Sequence, residues 1–147
     1  MLAVVKERAG LGFSFMQVKI PKPKENEVLI KVKSVGICGT DISIFKGTQS
    51  VNYPLILGHE FSGIITEVGN KVRRFKKSDY VLPGIVVNCG ECIYCKQGLE
   101  SLCDNIYEIG ISVDGAFAEY AIVPEKTLHV LPKNMDFNQG ASIEPIA

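Results

Sequence analysis

Residues 89–103 read CGECIYCKQGLESLC and hold four of the chain's five cysteines. Their spacing is C-x2-C-x2-C-x7-C: Cys89, Cys92, Cys95 and Cys103. Two intervening residues let neighbouring thiolates turn onto one centre, and the longer KQGLESL run, with Gly98 in it, lets Cys103 return to close the shell. Four sulfurs at ~2.3 Å from Zn²⁺ make a closed tetrahedral site without an open position, which organises a lobe and does not catalyse. Two other readings stay open. An iron–sulfur run follows C-x2-C-x2-C-x3-C-P, so the first three cysteines match, but the fourth spacing is seven and Asp104 stands where proline belongs. The remaining reading is a set of free or disulfide-linked thiols, which a reducing compartment disfavours.

The fifth cysteine, Cys38, stands alone in GICGTD, and His59 follows 21 residues later in LILGHEFSG. The other histidine, His129, sits in an apolar stretch with no acid or thiol near it in sequence and reads as structural. Cys38 ends a strand-like run, and His59 with Glu60 leads into another. A thiol, an imidazole and a carboxylate form a mixed zinc ligand set, and three protein ligands leave a fourth position for water or substrate. Spacing alone leaves this pair open between a ligand role and a structural one.

The elements that must place these residues are mostly short strands. Residues 2–7 and 13–20 read as two strands joined across Ala9, Gly10 and Gly12. In 27–33, EVLIKVK, Val28, Ile30 and Val32 alternate with Leu29, Lys31 and Lys33, as in a half-buried strand. Thr40 or Asp41 can cap a short helix that runs through Phe45 and ends at Gly47. Residues 61–68 and 79–87 are apolar and partly β-branched, and Asp114-Gly115 marks a turn before FAEYAIV. MDFNQGASIEPIA reads as the opening of a helix. The expectation is a mainly β domain with short helices, a small barrel or sandwich over residues 1–147. Sixteen basic residues balance sixteen acidic ones. That argues against nucleic-acid or anionic-membrane partners. The early charge at Lys6 breaks any secretory apolar core, so a cytoplasmic setting is expected.

The combination of motifs resembles the zinc-dependent, medium-chain alcohol dehydrogenases. The residues that carry it are GICGTD (36–41), GHEFSGIITEVGNKV (58–72), the four-cysteine lobe and DGAFAEYAIVP (114–124), with Gly63 and Gly69 at the signature positions after GHE. The resemblance runs in order along the whole chain. It implies a partly open barrel like that of the GroES co-chaperonin, with a zinc-binding lobe. It also implies two zinc sites. The four cysteines match the structural one, and Cys38, His59 and Glu60 match the catalytic one. IEPIA (143–147) resembles the polyol and threonine dehydrogenase branch, in which a glutamate before proline, here Glu144, approaches the metal directly or through water. Thr40 matches the hydroxyl that bonds the substrate oxygen, and Asp41 the acid that orients the histidine; both positions also suit plain helix capping. Many relatives place a proton-relaying histidine five residues after the catalytic cysteine, where this chain has Ser43.

The implied reaction is oxidation of a secondary alcohol, with hydride passing to NAD or NADP held by a second domain. The nearest match to a dinucleotide turn, GLGFSF (10–15), has Phe15 in the last glycine position and precedes a strand; it reads as a hairpin turn. The expectation is therefore a catalytic domain whose nucleotide-binding partner lies after residue 147, in a parent that is a homodimer or homotetramer. Two other functions remain: an iron–sulfur electron-transfer module, and a non-enzymatic, zinc-stapled binding barrel.

Overall fold

The computed structural model describes residues 1–146. In chain order the strands and helices are β1 Leu2–Lys6, β2 Ser14–Gln17, β3 Glu27–Val35, α1 Gly39–Lys46, β4 Leu55–Ile56, β5 Phe61–Val68, β6 Tyr80–Pro83, β7 Val86–Val87, α2 Ile93–Lys96, β8 Tyr107–Glu108, β9 Tyr120–Pro124, β10 Leu128–Val130 and α3 Phe137–Ala141. A 3-10 turn, Glu144–Ile146, follows α3.

The pairings between these strands are all antiparallel, and most join strands distant in sequence. The larger sheet has the order β10-β6-β5-β3-β9 and the smaller β2-β1-β4. The run before β9 joins them. Phe117 offers its carbonyl to Val4 N–H at 2.8 Å, its own N–H bonds Leu57 O at 2.8 Å, and Val32 N–H reaches Glu119 O at 3.0 Å. The two sheets thus close on each other as a partly open barrel. Val28, Ile30, Phe61, Ile65, Val81 and Val123 fill it, each 1% exposed or less. A second cluster, Ile44, Leu55 and Leu57, lies beneath α1.

Several expectations change in detail. The strand foreseen over 13–20 spans only Ser14–Gln17, an edge strand with mostly exposed residues. The 79–87 run divides into β6 and β7, and from β7 the chain leaves the main sheet to pair with β8. In β3 the alternation fails at Leu29, which is buried beside Val28 and Ile30 because a register shift against β5 falls between Leu29 and Ile30. The cap of α1 is Cys38, one residue before the helix; Asp41 sits in its first turn and accepts the Cys38 N–H at 2.8 Å. Gly47 ends the helix in the left-handed region at φ 76°, as expected of it. The 10–13 segment is the β1–β2 turn, in line with its reading as a hairpin. The foreseen terminal helix is α3, capped by Asp136, whose carboxylate accepts the Gln139 N–H at 2.8 Å.

The barrel interior sets the stability of this frame. Ile30→Ala, at a fully buried position, is expected to cost about 2–5 kcal/mol, read as a lower midpoint in urea unfolding with an unchanged slope.

Candidate metal centres

The cysteine lobe is the excursion between β7 and β8. Val86 pairs with Glu108 and Val87 with Tyr107, so the chain leaves and returns at one place with all four thiols between. Cys92 caps α2, and the Cys95 N–H donates to its sulfur at 3.5 Å. Further backbone N–H groups aim at sulfur: Cys92 N at Cys89 Sγ, 3.3 Å, and Cys89 N at Cys103 Sγ, 3.2 Å. Such donors stabilise thiolate. The Cys95 N–H pulls the Cys92 thiol down to about 6. Burial pushes Cys95 up to about 12, with hydrogen bonds to the neighbouring thiols adding to the rise.

One sulfur of each cysteine lies within 4.8 Å of every other. Cys89 and Cys95 are 3.9 Å apart, against about 3.8 Å for two corners of a tetrahedron with ~2.3 Å zinc–sulfur bonds. That is too long for a disulfide, and the cysteines are free. It is also the spread of one shared ion; sulfurs bound to different irons of a cluster must stand further apart. The lobe has the geometry of a structural zinc site.

The second group forms where three elements meet. Cys38 lies between β3 and α1, and His59 and Glu60 in the bend before β5. Sγ of Cys38, a ring nitrogen of His59 and a carboxylate oxygen of Glu60 fall within 4.8 Å of one another. Gly36 makes room for the acid. Its N–H bonds Glu60 O at 2.7 Å, and a Cβ on Gly36 would stand 2.5 Å from Glu60 Oε2.

Asp41 and His59 are 1% and 3% exposed. Asp41 Oδ1 faces His59 Nδ1 at 3.7 Å, beyond hydrogen-bond reach, and both atoms are buried without a partner. Buried polar atoms are normally paired. A cation on Nε2 fixes the imidazole proton on Nδ1 and gives Asp41 a donor to accept from, so a small closure satisfies both atoms. The soft thiol, imidazole and carboxylate together suit zinc. Burial raises the Asp41 carboxyl above its ordinary value, while the Cys38 N–H and His59 oppose that rise.

The other expected residues lie close by. Thr40 is half-buried in the first turn of α1, two residues from Cys38. Ser43 is one turn on, and its hydroxyl donates to Gly39 O at 3.1 Å. Glu144 is half-buried, and its carboxyl is raised by burial against a lowering influence of His59 and a raising one of Glu60. It stands near the centre but outside the close triad. α3 carries it there. The Ser62 hydroxyl, buried in β5, donates to Phe137 O at 2.6 Å, and Ser34 Oγ donates to Asn138 Oδ1 at 2.8 Å. His129 is exposed on β10 and belongs to neither centre. Sequence reasoning passed over Gly36 as anything but a flank of Cys38; the need for a residue without a side chain beside Glu60 appears only in three dimensions.

Comparison with known proteins gives this geometry its kin. Residues 24–133 match the family described as "Alcohol dehydrogenase GroES-like domain". The chain is 36% identical over 150 residues to L-threonine 3-dehydrogenase of Pyrococcus horikoshii, covering 99% of this chain and 43% of that protein. It is 40% identical over 149 residues to sorbitol dehydrogenase of Halalkalibacterium halodurans, covering 100% of this chain and 43% of the relative. The crystal structure of galactitol-1-phosphate dehydrogenase from Escherichia coli superposes with a TM-score of 0.92 at 37% identity, over 99% of this chain and 42% of that one. The chain thus spans less than half the length of these relatives. A barrel that carries a four-cysteine lobe and sets a thiol, an imidazole and a carboxylate around one point places this chain in the GroES-like domain family of the zinc-dependent, medium-chain alcohol dehydrogenases.

Proposed function

We propose that this chain is the catalytic domain of a zinc-dependent NAD(P) alcohol or polyol dehydrogenase. The observation that carries the reading is the convergence of Cys38, His59 and Glu60 beside the buried Asp41. In this reading those three residues hold the catalytic zinc, with Glu144 close enough to approach it directly or through water. Cys89, Cys92, Cys95 and Cys103 hold the structural one. Zinc, when bound, supplies Lewis acidity that lowers the pKa of a hydroxyl at the open position.

The chain's own residues do the rest. Asp41 accepts from His59 Nδ1 and keeps the ring turned so that Nε2 faces the ligand group. Thr40 takes the hydrogen bond of the substrate hydroxyl and relays the proton, giving its own hydroxyl proton onward as it takes the substrate's while the carbon gives up hydride. Onward transfer differs from relatives with histidine in this place. The Ser43 hydroxyl is committed to Gly39 O, so a water or another group carries the proton outward unless that bond breaks. The balance is simple: the alcohol loses a hydride from carbon and a proton from oxygen and becomes a carbonyl, and NAD(P)⁺ becomes NAD(P)H. A separate nucleotide-binding domain, after residue 147, holds that nicotinamide.

Relatives named for threonine, sorbitol and galactitol-1-phosphate point to a secondary alcohol on a polyol, sugar or 3-hydroxy amino acid. The complete protein is proposed to assemble as a homodimer or homotetramer.

Three outcomes test this. Elemental analysis is expected to find two zinc ions per chain; Cys38→Ser releases one and keeps the fold by circular dichroism, whereas Cys92→Ser unfolds the 89–103 lobe. A single zinc that Cys38→Ser does not remove favours the zinc-stapled binding barrel, and a brown protein the iron–sulfur module. Asp41→Asn is expected to weaken the Cys38-dependent zinc by about 10–100-fold in chelator competition, with the lobe zinc unmoved. Titration with NAD⁺ is expected to show no tight binding by residues 1–147; tight binding overturns the assignment of the nucleotide site to another domain.

A further inference from the structure

One buried cationic side chain serves neither metal centre directly. Lys6, the last residue of β1, is 1% exposed. Its Nζ donates to the carbonyl oxygens of Gly10, of Gly12 at 3.1 Å and of Phe45 at 3.3 Å. Three acceptors match the three N–H bonds of an ammonium. Among the described residues no carboxylate lies within 4.0 Å of this nitrogen. Withdrawing an ammonium from water without an ionic partner is costly, so carbonyl dipoles alone do the compensating.

One of those carbonyls matters more than the others. Phe45 O belongs to the last turn of α1, where carbonyls lack intrahelical donors and the helix dipole is negative. The Gly12 N–H donates to the same oxygen at 2.9 Å. The Phe13 ring stands edge-on to Phe45 with centroids 5.1 Å apart, and Lys6 Nζ lies 5.8 Å from the Phe13 centroid. Lys6 is the hub of a clamp that fastens the far end of α1 to the β1–β2 turn.

The near end of α1 carries the chemistry. Cys38 caps it, and Thr40 and Asp41 occupy its first turn. Eight residues make a rod ~12 Å long, too short to persist without tertiary contacts. Where its far end is held therefore decides where Cys38 and Asp41 point. We propose that Lys6 is a positioning residue for the Cys38–His59–Glu60 centre, acting through α1. This rests on the metal reading given above.

The test compares the 147-residue chain with Lys6→Met and, as an assignment control, Cys38→Ser. Each is loaded with zinc and dialysed against graded chelator, and the lobe zinc serves as internal reference. Lys6→Met is expected to surrender the Cys38-dependent zinc on the order of tenfold more readily, to keep the lobe zinc, and to exchange α1 amides faster. Equal retention of both ions with unchanged α1 exchange overturns the proposal. Parallel loss of both ions with a general fall in stability also overturns it, since it marks a lysine that serves the fold alone. If Lys6→Met does not fold, Lys6→Arg, which keeps the charge and alters the reach, decides: selective weakening supports the role and equal retention overturns it. Failure of the underlying reading has its own signature. The unaltered chain then holds no zinc that Cys38→Ser removes, and the positioning role falls with it.

Discussion

A buried carboxylate facing a buried imidazole is the constraint on which the rest of this structure depends. Asp41 Oδ1 and His59 Nδ1 are buried and face each other at 3.7 Å without a hydrogen-bond partner, while Asp41 Oδ2 accepts the Cys38 N–H. An imidazole with its proton on Nδ1 and a cation on Nε2 would satisfy both atoms. In the proposed function the neighbouring Cys38 thiol and Glu60 carboxylate supply the other ligands. The fold around them serves to hold a helix start, a strand end and a bend at one point. α1 presses Ile44 onto Leu55 and Leu57, β5 fixes Phe61 in the barrel interior, and α3 brings Glu144 alongside.

The two sulfur-bearing sites divide the work by chemistry and by placement. The lobe uses like ligands, all from one excursion of the chain, so it closes on itself and draws little on the barrel. The mixed site draws its ligands from residues 38, 59 and 60, on either side of the helix and the strand pairing. Its geometry therefore inherits the stability of the barrel. A saturated shell suits a lobe that only needs to be rigid. In the proposed function an incomplete shell suits the mixed site, which would admit a substrate oxygen.

Much of this was legible in the residues because the signals were local. The four cysteines declare a common centre by spacing, Gly47 declares a helix end, and the β5 run is mostly apolar and partly β-branched. Gly36, Cys38, His59 and Glu60 are individually ordinary; spacing left a grouping of the last three open, and the joint motif resemblance favoured it before the fold brought them together. What was not legible depends on tertiary context. The Leu29 register shift arises between strands distant in sequence. The cap of α1 falls on Cys38, after the three residues 36–38 that follow β3, where propensity favours Thr40 or Asp41. The burial of Lys6 was invisible too, since a lysine that ends a strand before a turn ordinarily points to solvent.

The start of β5 has a consequence of its own. Consecutive side chains of a regular strand leave on opposite sides, so two adjacent residues cannot both reach one ion while the pleat continues. The ligand atoms of His59 and Glu60 converge beside the Cys38 sulfur because regular pleating begins only at Phe61. Prolonging the zigzag backward by two residues would turn one of these neighbours away from the thiol and dismantle the centre without changing a single amino acid.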